Sequence, residues 1–224
     1  MEVARKRLSR EEQKALTKTR LIASARVVFA RRGFHRALLE EIAEEAGYST
    51  GAIYANFESK EDLFLAVLDD HVAARVRAVE QAVSEASTPA KRARAGGDDW
   101  MLFLREDPDW YRLFIEFWSC AQRDPELRTR VAARFAAFPK ANAELIEQGA
   151  RNVGIALPEG LAEAAGTLFT ALADGLALMK LLDPEAVPDE LFGDALSALY
   201  QLTTQANHLD ATAVHDATDN PKSS

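Results

Sequence analysis

The stretch Leu39-Glu40-Glu41-Ile42-Ala43-Glu44-Glu45-Ala46-Gly47-Tyr48-Ser49-Thr50-Gly51-Ala52-Ile53-Tyr54-Ala55-Asn56-Phe57 decides how this chain is read. Its first half, about 38–45, places Leu39, Ile42 and Ala43 on one helical face. Glu40, Glu41, Glu44 and Glu45 fall on the solvated face. Ala46-Gly47-Tyr48 breaks the pattern, and Gly47 permits a tight turn. A second short helix follows from about Thr50 to Phe57, started by Ser49 or Thr50 as a cap, with Ile53 and Phe57 turned inward. Two short helices across a tight glycine turn form a helix-turn-helix. Thr50, Gly51, Ala52, Tyr54, Ala55 and Asn56 are then left to face a major groove.

Working outward, nearly everything else reads as helix. Leu21, Ala25, Val28 and Phe29 recur at helical spacing in a run from about Glu11 to Arg32 that Gly33 stops. Ser59 opens a long helix to about Val83, with Asp62 as its capping-box partner. Thr88-Pro89 marks a boundary, and Gly96-Gly97 predicts an irregular stretch before helix resumes near Asp98. Further helices are expected over 109–122, over 125–152 with a kink at Pro139, over 157–182 and over 189–207. The polar tail from 209 lacks periodicity and is read as disordered. The expectation is therefore an all-α chain in three parts. A helix-turn-helix domain covers 1–58, a larger helical effector-binding and dimerisation domain 59–208, and a tail 209–224.

The 224 residues suffice for a sizeable core, and 48% apolar with 28% charged residues is an ordinary globular composition. The one cysteine, Cys120, allows no intrachain disulfide, and the charged N-terminus lacks the apolar core of a signal peptide. A cytoplasmic protein is expected. The segment Leu161–Leu182 is apolar, but Glu163, Asp174 and Lys180 interrupt it, so a buried helix is preferred to a membrane span. The net charge of −8 argues against nucleic acid until its distribution is considered. Residues 1–36 hold eleven basic and three acidic residues, a net +8, which leaves −16 on the other 188. A basic segment on an acidic body attracts phosphate locally.

The run from Gly33-Phe34 through Ile42-Ala43, Ala46-Gly47, Ser49-Thr50-Gly51-Ala52-Ile53-Tyr54 and Phe57-Glu58-Ser59-Lys60 closely resembles the TetR family of bacterial regulators. The resemblance covers about residues 11–70. Beyond it, the chain resembles the family in length, helical content and apolar final helices. It implies that Tyr54 and Lys60 contact DNA phosphates and that Thr50, Ala52 and Asn56 lie nearest the base edges. Ser49 caps the recognition helix or touches DNA, and the basic arm with Arg5 and Lys6 reaches the minor groove or backbone, or stays a solubilising tail. The sequence departs from the family where a Ser or Thr usually opens the second helix: Ala37 and Leu38 stand there. A capping bond worth roughly 1 kcal/mol and one phosphate contact are lost.

One helix-turn-helix reads few base pairs, so a homodimer on a palindromic operator in double-stranded DNA is expected. The last two helices are the expected interface, with Phe169, Leu172, Leu176, Leu196 and Leu199 in a four-helix bundle across the two-fold axis. Aromatic residues crowd the middle of the chain, and most of them read as core. The resemblance implies a cavity there for a small apolar or aromatic effector, touching Phe103, Trp110, Phe114, Trp118 and Met179. Asp174 or Glu116 would be its polar anchor. The functional reading is a ligand-responsive regulator, as a repressor released from its operator. Two alternatives stay open: a helical adaptor that binds protein, and an all-α enzyme. The four histidines are scattered, with no metal-ligand spacing, no phosphate-binding glycine loop and no nucleophile elbow. No metal, no cofactor and no membrane partner is expected.

Overall fold

A computed structural model describes residues 9–201. The expectations for Arg5, Lys6, the end of the last helix beyond 201 and the tail from 209 lie outside the described residues. Nine helices follow one another: α1 (Arg10–Arg32), α2 (Leu39–Ala46), α3 (Thr50–Tyr54), α4 (Lys60–Glu85), α5 (Pro89–Glu106), α6 (Pro108–Ala121), α7 (Pro125–Phe135), α8 (Ala137–Asn152) and α9 (Leu161–Leu182). Residues 191–201 are helical as well, and no strand occurs among the described residues.

Local chemistry accounts for the boundaries. Ser9 caps α1: its hydroxyl accepts the Glu12 N–H at 3.1 Å, while the Glu12 carboxylate accepts the Ser9 N–H at 2.7 Å. Gly33 ends α1 at φ 76°, and Gly47 ends α2 at φ 71°. Thr88 caps α5 and Asp124 caps α7, each followed by a proline in the first turn, where no N–H is missed.

Two expectations are corrected. Gly96-Gly97 does not break a helix, because α5 runs unbroken through both. A Cβ on Gly97 would lie 2.6 Å from the Gly193 nitrogen and 2.8 Å from its Cα. The glycine therefore lets two helical backbones approach, and this packing outweighs its poor helix propensity. Residues 125–152 are not one kinked helix. The chain turns at Ala136, and Pro139 sits in the first turn of α8, where a proline is tolerated.

The described residues form two compact units, each drawn from two separate stretches of the sequence. The first holds the described residues up to Ala74 together with Pro108–Phe138. Its core is Leu21, Ala25, Val28 and Phe29 of α1, Ile42 and Ala43 of α2, Ile53 of α3, and Leu63, Phe64, Val67 and Leu68 of α4, joined by Trp110, Leu113 and Phe117 of α6. Each buried Leu, Ile, Val or Phe side chain among them contributes about 1.5–3 kcal/mol by leaving water. The second unit holds Arg75–Asp107 and the described residues from Pro139 on. There Gly166 of α9 faces the Ala143 nitrogen of α8, where a Cβ would stand 2.8 Å away. Asn142 donates to the Thr170 hydroxyl at 3.1 Å, and the Trp100 indole donates to the Ala173 carbonyl at 3.0 Å.

Candidate nucleic-acid interface

The first unit presents the α2–turn–α3 hairpin on a rigid aromatic support. Phe34, just past α1, packs tilted against Phe29 of α1 at 5.7 Å and edge-on against Phe64 of α4 at 5.4 Å and Phe117 of α6 at 4.8 Å. Phe64 and Phe117 stack at 3.9 Å, and Trp110 continues the stack onto His71 at 3.9 Å. Each well-placed ring pair is worth about 0.5–1.5 kcal/mol beyond its burial. Loop 33–37 is held from both sides. The Glu116 carboxylate accepts the His35 N–H at 3.0 Å, and the Lys60 ammonium donates to the carbonyls of His35 at 3.1 Å and Ala37 at 3.2 Å. The same ammonium lies 4.8 Å from the Phe34 ring centroid.

Ala37 and Leu38 leave α2 without a side-chain cap, and Glu41 partly replaces it. Its carboxylate accepts the Leu38 N–H at 3.4 Å and a 2.7 Å bond from Arg32. Ile53 and Phe57 are buried, as expected, and anchor α3. Tyr54 is 62% exposed, while Ser49, Gly51 and Ala55 are exposed and Thr50 and Ala52 half-buried. Ser49 occupies the N-cap position without a side-chain capping bond, so its hydroxyl stays available. Asn56 turns back on its own helix: its amide donates to the Ala52 carbonyl at 2.8 Å, and its Oδ1 is buried. Like Ala52, it is half-buried. Lys60, expected at a phosphate, places two of its three donors on loop carbonyls and keeps one.

The basic surface of α1 is divided. Arg32 pairs with Glu41 at 2.7 Å, and Arg31 lies 3.9 Å from Glu45. Among the described residues no ion pair holds Lys14, Lys18 or Arg20. Lys18 stands 5.6 Å from the Phe57 ring centroid. Thr17 donates to the Gln13 carbonyl at 2.9 Å and reaches the Tyr48 hydroxyl at 3.5 Å. The hydrogen bond from Thr17 holds the Tyr48 phenol below its usual ionisation range against the effect of burial, and Arg20 adds to the lowering. Tyr48 was not singled out in sequence because its side chain sits in a turn, outside any periodic pattern.

The residues expected around an effector fall in both units. In the first, Trp110 is buried in the aromatic stack, Phe114 stacks on Phe135 at 5.5 Å, and Glu116 is held at His35. Trp118 is exposed. In the second, Phe103 lies under the Arg75 guanidinium at 4.5 Å, Asp174 is half-buried and Met179 exposed. Of the expected interface residues, Leu172 and Leu199 are exposed by 58% and 59%, and Phe169, Leu176 and Leu196 are half-buried. Phe169 stacks on Phe192 at 4.9 Å. Helix α9 has 22% of its most apolar window buried within the chain. It is long and apolar enough to cross a membrane by length and composition.

A short exposed helix, launched by a left-handed glycine turn and braced on α1, α4 and α6, defines a helix-turn-helix domain. Residues 21–67 match the family described as bacterial regulatory proteins, tetR family. Residues 89–202, half of the chain, match the BetI-type transcriptional repressor C-terminal family. The chain belongs to the TetR family of transcriptional regulators. It is 38% identical over 110 residues to the HTH-type transcriptional activator FasR of Mycolicibacterium smegmatis, covering 49% of this chain but only 48% of FasR's length. It is 25% identical over 195 residues to the HTH-type transcriptional regulator YfiR of Bacillus subtilis, an uncharacterised protein, covering 87% and 94% of the two chains. It also matches the structure of the regulator FadR of Bacillus subtilis in complex with stearoyl-CoA, with TM-score 0.65, 19% identity and coverage of 81% and 96%.

Proposed function

We propose that this protein is a homodimeric repressor that grips a palindromic operator with α3 of each protomer and releases it on binding a small apolar effector. The observation that carries the reading is the α3 surface. Ile53 and Phe57 are fixed in the core, while Tyr54 and the small residues Gly51, Ala52 and Ala55 leave a low ridge able to enter a major groove. Such small side chains offer few base hydrogen bonds. Affinity then rests mainly on phosphate contacts, and sequence preference on Thr50 and on DNA shape. Tyr54 supplies one phosphate contact through its hydroxyl, and the free donor of Lys60 another.

Dimerisation is supported by the uncovered apolar face of α9 and of residues 191–201, where Leu168 is 65% exposed beside Leu172 and Leu199. The repressor mode is supported by the family of the C-terminal half, although FasR is an activator. FadR is seen with stearoyl-CoA, so an apolar long acyl chain, delivered on its anionic CoA carrier, is the first effector to try. A mobility-shift titration on a library-selected duplex tests the reading. Shifts should appear at protein concentrations that leave scrambled duplex free, and stearoyl-CoA should abolish them. Equal shifts on both duplexes would instead fit sequence-blind binding.

A further inference from the structure

We propose that Thr17 and Arg20 of α1, with Tyr48 of the α2–α3 turn, form a seat for a DNA backbone phosphate beside the start of the recognition helix. The inference rests on the DNA-binding reading above and adds three residues to it. Tyr48 directly precedes Ser49, the exposed N-cap of α3, so anything bound at its hydroxyl adjoins the groove-facing ridge. The Thr17 hydroxyl stands 3.5 Å from the phenol oxygen with its own proton on the Gln13 carbonyl. Arg20, three residues on, shares the Thr17 face of α1 and acts electrostatically on the phenol. Two neighbouring hydroxyls beside a guanidinium with no carboxylate partner among the described residues offer several donors to one anionic acceptor.

The location follows from the helix. Residues 9–20 of α1 are almost entirely exposed, so this half of the helix projects past the core that buries Leu21 and Ala25. Lys14 and Lys18 lie on the same projecting half, also without ion pairs, and raise the local positive potential. Arg31 and Arg32, at the other end, face glutamates of α2. Lys14, Lys18 and Arg20 are therefore available to meet phosphate, whereas Arg31 and Arg32 are engaged. The seat also answers the absence of a hydroxyl at Ala37 and Leu38: a phosphate contact missing from the start of α2 is supplied by the turn that ends it.

The test is fluorescence anisotropy of the full-length protein on a labelled random-sequence duplex of about 30 base pairs, titrated at several salt concentrations. Arg20→Gln should lower the magnitude of the log K against log salt slope by about 0.9 for each bound protomer. Tyr48→Phe should weaken binding about fivefold for each protomer, with the slope unchanged, since it removes a hydrogen bond and no charge. Arg31→Gln, which alters a cation already facing Glu45, should change the slope far less than Arg20→Gln. Melting curves confirm that each variant is folded. Wild-type slope and affinity in both Arg20→Gln and Tyr48→Phe would overturn the seat while leaving DNA binding intact. Equal slope changes in Arg20→Gln and Arg31→Gln would overturn it too. A wild-type protein that binds no duplex would overturn the DNA-binding reading itself.

Discussion

Replacing Gly97 with alanine sets two effects of similar size against each other. In the interior of α5, alanine is favoured over glycine by about 1 kcal/mol. Against this, the new methyl would stand 2.6 Å from the Gly193 nitrogen and 2.8 Å from the Phe192 carbonyl carbon. Those are backbone atoms of the helical run 191–201, which cannot turn aside as a side-chain tip can. Restoring an ordinary carbon contact of about 3.5 Å requires that run to retreat by roughly 1 Å. Overpacking of this kind costs about 1–3 kcal/mol. With three backbone atoms within 2.8 Å of the new methyl, the upper part of that range, about 2–3 kcal/mol, applies. After the gain of about 1 kcal/mol, Gly97→Ala should be destabilised by about 1–2 kcal/mol, read as a lower urea midpoint at constant m. Gly149→Ala in α8 is the control, since a Cβ there meets nothing within 4 Å. It should be stabilised by up to about 1 kcal/mol. The run 191–201 also carries Leu191, Leu196 and Leu199, so Gly97→Ala should weaken dimerisation as measured by analytical ultracentrifugation. A Gly97→Ala protein as stable as wild type would refute the view that this glycine exists for close helix approach.

Phe117→Ala, at the centre of the aromatic stack, should cost about 3–5 kcal/mol and lower DNA affinity with it, measured by urea unfolding and anisotropy. Lys60→Ala should lower the melting temperature as well as DNA affinity, because its ammonium ties loop 35–37 to the start of α4. An affinity loss without any thermal shift would mean that Lys60 acts only on phosphate. The Asp189 carboxyl is held below its usual range by the hydrogen bond from Lys180 at 2.7 Å, with Arg105 helping. A depressed folded pKa gives stability that is present above the unfolded value of about 3.9 and is lost as pH falls through the folded one. Asp189→Asn should therefore flatten the acid limb of the stability curve below about pH 4 and leave its shape near neutrality unchanged. Leu172→Glu should yield monomers in ultracentrifugation that still melt cooperatively.

The helix-turn-helix was legible because its signals are local. The apolar period of Leu39, Ile42 and Ala43, the Gly47 turn, and Ile53 with Phe57 each report their own backbone. The features that escaped depend on partners far along the chain. Gly96-Gly97 reads as a weak point until Gly193 arrives against it. Pro139 reads as a kink until the chain turns at Ala136 and leaves the proline in a first turn. Glu116 was read as an effector anchor, and its bond to the His35 N–H, 81 residues away, leaves no local trace. Asn56 and Lys60 match the family's spacing, but spacing does not show that the Asn56 amide folds back on Ala52. Nor does it show that the Lys60 ammonium rests on the carbonyls of His35 and Ala37.

The central claim is that α3 of two protomers reads a two-fold site in duplex DNA. Selection of bound fragments from a random duplex library by the purified full-length protein tests it most directly. The account predicts enrichment of an inverted repeat with half-site centres about one helical turn, or a multiple of it, apart. Conversion of Tyr54 to phenylalanine should weaken binding to the selected site without changing its sequence. A selected pool with no shared sequence, or one with a single unrepeated half-site, would contradict it.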